Sequence, residues 1–108
     1  MPQFKVSQES NGFWRFQLLT ATGKVLLKGN PYPFKESCKG AILSTKLAIS
    51  FDECFELLTD ADQTFYYCIR SIGDGSILGV SEKYRTKASC IQAMKIIKQE
   101  IKIAVGNG

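Results

Sequence analysis

Polar and apolar positions change period twice along this chain, alternating first and then recurring every three to four residues. "FWRFQLL", from Phe13, and "FYYCIR", from Phe65, alternate so that Trp14, Phe16 and Leu18, or Phe65, Tyr67 and Ile69, share one face of a strand. "FKV" and "FEL" open shorter strands ahead of them, and "VLLK" and "ILGV" form a third strand after each. "SNG", "ATGK", "DADQ" and "GDGS" between these segments are hairpin-turn chemistry, with Gly, Asn or Asp where a positive φ is needed. Helical spacing then takes over. "KESCKGAILSTKLAI" carries Cys38, Ala41, Ile42, Thr45 and Ile49 on one side, and "KASCIQAMKIIKQEI" carries Cys90, Ala93, Met94, Ile97 and Ile101. Thr86 is a good N-cap for the second helix. Phe34 cannot cap the first, which the interior Gly40 weakens further.

The doubling extends to residue identity. At a shift of 52, Gly23, Leu26, Tyr32, Lys35, Ser37, Cys38, Ala41, Lys46 and Ile49 meet the same residue types at Gly75, Leu78, Tyr84, Lys87, Ser89, Cys90, Ala93, Lys98 and Ile101. Upstream, a shift of 51 sets Phe4 against Phe55, Trp14 against Phe65, Phe16 against Tyr67 and Leu18 against Ile69. The extra residue falls where "TATGK" becomes "SIGDGS", a turn, where insertion is tolerated. The chain reads as a tandem duplication joined near Ser50 to Glu53. The fold class is α+β: two β-β-β-α repeats, about 4–53 and 54–105, in a single domain 1–108.

The order F-x-V, G-x-W-R-F, G-K-V-L and Y-x-x-K-x-S-C-x-x-A-I resembles the YegP-like family, a domain of unknown function found mainly in bacteria. Gly12, Trp14, Arg15 and Phe16 fit its second-strand pattern, whereas the second repeat has Gln63 for the glycine and Tyr66 for the arginine. The resemblance implies one antiparallel sheet shared by both repeats, with both helices packed on it. It further implies that the segments after the helices, "SFDE" and "KIAV", each add a short strand to the other repeat. It implies no known activity.

Composition narrows the chemistry. The chain has 108 residues, 44% hydrophobic and 22% charged, an ordinary globular balance for one domain. No apolar run approaches membrane-spanning length and the amino terminus lacks a signal-peptide layout, so a cytoplasmic protein without membrane association is expected. There is no histidine, which removes the usual general base and activator of a nucleophile. Cys38, Cys54, Cys68 and Cys90 form no C-x-x-C pair and are expected to be free thiols, binding no metal. No cofactor is expected. Fourteen basic residues against ten acidic ones give a net charge of +4, which tolerates an anionic partner without demanding one.

Two readings of the repeated Tyr-x-x-Lys-x-Ser-Cys follow. In the structural one, Tyr32 and Tyr84 anchor the loop into each helix, Cys38, Ala41, Cys90 and Ala93 let the helices sit close to the sheet, and the lysines are solvated. In the functional one, Lys35 and Lys87 stand in the first helical turn, where the macrodipole disfavours a cation. With Ser37 and Ser89 and the free N–H groups they would make two anion cradles related by internal pseudo-symmetry. Arg15 and Tyr66, among the aromatics of the middle strands, are candidate nucleic-acid contacts, although alternation turns Trp14 and Phe16 inward. Cys54 and Cys68 read as inert. The acids Asp52, Glu53, Glu56, Asp60 and Asp62 read as solvated surface. The reading is a small non-enzymatic binding or structural module, its partner an unidentified small anion or macromolecule. The alternative is a weak nucleic-acid-binding protein. A monomer is expected, because a duplicated unit supplies its own pairing partner.

Overall fold

The computed structural model describes residues 2–107, with side chains described for residues 2–101. Strands β1 (Gln3–Gln8), β2 (Trp14–Leu19) and β3 (Val25–Gly29) lead into α1 (Lys35–Ala48). A 3-10 turn (Asp52–Cys54) precedes β4 (Phe55–Thr59), β5 (Phe65–Arg70), β6 (Ile77–Val80) and α2 (Lys87–Asn107). The strands form one six-stranded sheet in the order β1-β2-β3-β6-β5-β4, every neighbouring pair antiparallel. Each repeat is a meander, and the two meanders meet where Lys28 of β3 pairs with Val80 of β6. Those residues are 52 apart, the repeat shift itself, so the internal twofold axis passes through that pair.

Alternation sends one face of the sheet to the helices. Phe16 and Leu18 of β2 and Tyr67 and Ile69 of β5 are fully buried there, against Cys38, Ala41 and Ala48 of α1 and Cys90, Ala93 and Ile97 of α2. α1 lies over β2 and reaches β5, while α2 lies over β5. The opposite face carries Lys5, Gln17, Lys28, Val80, Cys68 and Glu56 in one row across all six strands. The small helix residues matter because they sit at the contact: Ala41 and Ala93 are 7% and 5% exposed.

Two backbone details distinguish the repeats. A Cβ at Gly29 would fall 2.2 Å from Cε1 of Phe16, so the ring's approach excludes any side chain there. The equivalent Ser81 instead uses its Oγ to accept the Tyr67 N–H at 3.0 Å. In the first hairpin Gly12 takes φ +90°, and Gln63, which replaces it in the second repeat, is held at φ 66°. A β-branched-free side chain tolerates that left-handed conformation at a cost of about 1 kcal/mol.

The strands expected after the helices do not form. Residues 50–53 turn through the 3-10 segment, and 102–105 continue α2. The sheet therefore ends with β1 and β4 as its edges, and within it the described strands of the two repeats pair through β3 and β6. The edge of β4 is approached from the helix side by Lys98, whose Nζ sits 4.7 Å from the Phe55 ring centroid.

Candidate functional site

A single tyrosine ties each helix-entry loop to the sheet. Trp14 and Tyr32 exchange both backbone hydrogen bonds, at 2.6 and 2.7 Å, and Phe65 and Tyr84 do the same at 2.8 and 2.7 Å. The repeated tyrosine is thus a fastening point, placed one loop before a helix whose Cys38 or Cys90 is wholly buried. Lys35 and Lys87, the lysines of the repeated motif, are both exposed, as the structural reading expects, yet Lys35 and the repeated Lys46 and Lys98 each lie near an aromatic ring. Lys35 Nζ lies 5.3 Å from the Trp14 ring centroid, Lys46 5.6 Å from Phe4 and Lys98 4.7 Å from Phe55. Each ammonium sits over the face of an aromatic ring, where the quadrupole attracts it while its stem shields apolar surface.

The helix starts differ. Thr86 Oγ1 accepts the Ser89 N–H at 3.1 Å and pairs with Ser89 Oγ at 2.8 Å, so α2 is capped. Phe34 makes no side-chain cap to α1, and Ser37 is exposed. Of the four residues expected to form cradles, Ser89 thus pairs with its own cap, Lys35 lies beside the Trp14 ring, and Ser37 and Lys87 are exposed.

Beside the start of α2 lies a cleft of about 630 Å³ built from both repeats. The first repeat supplies Thr20, Lys24 and Leu26 from the β2–β3 hairpin; the second supplies Lys83, Tyr84, Arg85 and one face of α2. Leu26 is the extra residue of a bulge, between the pairs Leu18–Leu27 and Leu19–Val25. Its freed carbonyl accepts the buried Tyr67 hydroxyl, which locks the wall of the cleft to β5. Tyr67 stacks on Tyr84 with centroids 6.3 Å apart, and Lys24 Nζ lies 5.8 Å from the Tyr84 ring. The Tyr84 hydroxyl is buried with no hydrogen-bond partner among the described residues.

Three cations reach the cleft, and they are not equally available. Lys83 is clamped by the carboxylates of Asp60 and Asp62, and hydrogen bonding to Lys83 holds the Asp60 carboxyl below its usual range. Lys24 and Arg85 make no ion pair among the described residues. At the equivalent place beside α1 the repeat shift puts Ser76 for Lys24, Pro31 for Lys83, Pro33 for Arg85 and Glu36 for Ala88. The positive cleft therefore stands beside α2 and has no counterpart of the same charge beside α1. Lys24, Arg85 and Gln92 escaped sequence reasoning because that reasoning searched for what the repeats share. The signal lay in what they do not.

The nucleic-acid candidates occupy equivalent positions, Arg15 on β2 and Tyr66 on β5, both on the face away from the helices. β3 and β6 run between them, and Arg15 Nε lies 3.5 Å from Glu9 Oε1. The structure does not bring them together. On the same face Arg70 donates to Glu56 Oε1 from Nε and Nη2, at 3.1 and 2.9 Å, over the buried Cys68. The acids near the joint are thus largely engaged in exposed ion pairs, Asp52 with Lys98 at 3.2 Å included, which solvent screens. All four cysteines are free and buried, and burial pushes each thiol up from its ordinary range. No group of three or more Cys, Asp or Glu among the described residues is placed to hold a metal ion, and none of the described helices is long and apolar enough to cross a membrane.

No family model matches the chain. It is 24% identical over 97 residues to a UPF0339 protein of Pseudomonas aeruginosa, spanning 90% of this chain and 87% of that one. To the UPF0339 protein YegP of Escherichia coli it is 28% identical over 86 residues, spanning 80% and 77%. The solution NMR structure of yegP from E. coli, a protein of unknown function, superposes with a TM-score of 0.85 at 25% identity, covering 93% of this chain and 85% of that one. A UPF0339 protein from Shewanella oneidensis shares the fold, with a TM-score of 0.87 at 20% identity over 94% of this chain and 85% of its own. Relatives in sequence and neighbours in structure are both UPF0339/YegP-family proteins of unknown function, the family that the residue pattern resembles.

Proposed function

We propose that this protein is a non-catalytic binding module whose anion site is the cleft at the start of α2. The observation that carries the reading is the meeting of Lys24 from one repeat with Arg85 from the other at a 630 Å³ opening, next to the first turn of a capped helix. Two cations without an ion pair among the described residues and the positive end of a helix favour an anion at the same point. The site is open to water, so the attraction is screened, and inorganic phosphate alone should bind only at about millimolar strength. The proposal replaces two cradles related by pseudo-symmetry with one, since Pro33 and Ser76 leave the α1 side without the matching cations.

The test is a phosphate titration followed by amide NMR. Shifts should concentrate at residues 85 to 89 and around Lys24, and Arg85→Glu should abolish them while leaving the fold intact. Equal responses at Lys35 to Cys38, or a response spread evenly over the basic surface, would overturn the reading. A response to oligonucleotides but not to phosphate, centred on Arg15, would favour the nucleic-acid alternative.

A further inference from the structure

The cleft is basic at its mouth, but its wall is apolar. Leu26 is 1% exposed and backs the cleft from the first repeat, while Ala88, Ala93 and Ile96 face it from α2. Ala88, Gln92 and Ile96 recur every four residues and so form one stripe along the helix, about 12 Å from first to last. The cations lie at the end of this stripe where α2 begins, because Arg85 immediately precedes the cap and Lys24 lies over Tyr84. Polarity thus changes along the length of the cleft, with charge at one end and methyl groups at the other. A volume of 630 Å³ is in the range of small-molecule sites.

The same stripe on α1 serves as an internal control. Glu36, Gly40 and Ser44 stand where α2 has Ala88, Gln92 and Ile96. The fold is built there with an acid, a glycine and a serine, so packing alone does not require alanine, glutamine and isoleucine. We infer that the ligand is a small amphipathic anion: a phosphate or carboxylate head held by Arg85 and Lys24, carrying an unbranched alkyl or aryl body laid over Leu26, Ala93 and Ile96. Gln92, between Ala88 and Ile96 on the stripe, accepts or donates one hydrogen bond to a polar atom near the head. This inference rests on the anion reading above and adds the class of molecule.

The experiment compares inorganic phosphate, octyl phosphate, octanoate and octanol, each below its micelle-forming concentration, by amide and methyl NMR on the whole protein. Octyl phosphate is expected to bind at least tenfold more tightly than inorganic phosphate, since each buried methylene strengthens binding up to about three- to fourfold. It should also shift the methyl groups of Leu26 and Ile96, which inorganic phosphate leaves in place. Octanoate against octyl phosphate tells which head the cations prefer. Ile96→Ser, which installs the α1 residue, should remove the gain from the alkyl chain. If phosphate binds at residues 85 to 89 but octyl phosphate binds no better, the amphipathic inference fails and the anion site stands. If neither binds, both fail. Octanol binding as tightly as octyl phosphate would show an apolar groove with no use for a charged head, and would overturn the inference as well.

Discussion

The connection into α1, residues 30–38, and the connection into α2, residues 82–90, are built on one plan and surrounded differently. Each closes its loop with a tyrosine bridge to the middle strand of its repeat, and each buries a cysteine one turn into the helix. Into α1 the chain passes through Pro31, Pro33 and an exposed, non-capping Phe34. Into α2 it passes through Lys83, Arg85 and Thr86, whose hydroxyl caps the helix. Further along, α1 exposes Leu43 and Leu47 where α2 has Lys95 and Gln99, and it buries Thr45 where α2 buries Ile97. Thr45 satisfies itself by donating to the Ala41 carbonyl at 2.8 Å. What the repeats have in common is the frame, and what differs between them is surface chemistry. Duplication lets one copy hold the fold while the other changes its surface.

The most severe test of the common frame is to fill it. Ala41→Leu and Ala93→Leu should each destabilise by roughly 1 to 3 kcal/mol, because both methyl groups are buried where the helices pack on the sheet. Thermal or urea melts of both variants check this, and parent-like melts in either would mean that the two helix faces are not equivalent.

The caps give a smaller and reciprocal effect. Thr86→Ala should cost about 1 kcal/mol, and Phe34→Thr should gain a similar amount by supplying the acceptor that α1 lacks. Phe34 is 69% exposed, so little packing is lost with its ring. Urea midpoints moving in opposite directions would confirm the asymmetry, and a destabilised Phe34→Thr would show that the ring has a packing role at this start.

The smallest expected difference lies in the hairpins. Gln63→Gly removes a left-handed glutamine and should stabilise by several tenths of a kcal/mol, after allowing for the greater freedom of glycine in the unfolded chain. Gly12→Gln should do the reverse. The pair is read best as a double-mutant exchange, in which the sum near zero indicates two equivalent turns.

The alternating faces of β2 and β5 and the helical faces led by Cys38 and Cys90 were legible because burial imposes a period on the chain. So was the duplication, since nine repeated residue types over one shift need no coordinates to see. The same logic read Thr86 as a cap and Phe34 as a failure to cap. The strands after the helices came from the resemblance rather than from this logic, and they do not form: residues 50–53 turn through the 3-10 segment and 102–105 continue α2. Nor did that logic show that the exposed Lys35 lies over Trp14 or Lys98 over Phe55, since nothing local brings those pairs together. The candidate site lay furthest from view. Lys24 and Arg85 are separated by 61 residues and belong to different repeats, and no period or motif connects them. They meet because β3 pairs with β6 across the internal twofold, which brings the hairpin of one repeat against the helix of the other. Periodicity is a property of neighbours along the chain and can be read from it. A cleft is made by groups the pairing of strands brings together, and only the tertiary structure decides which those are.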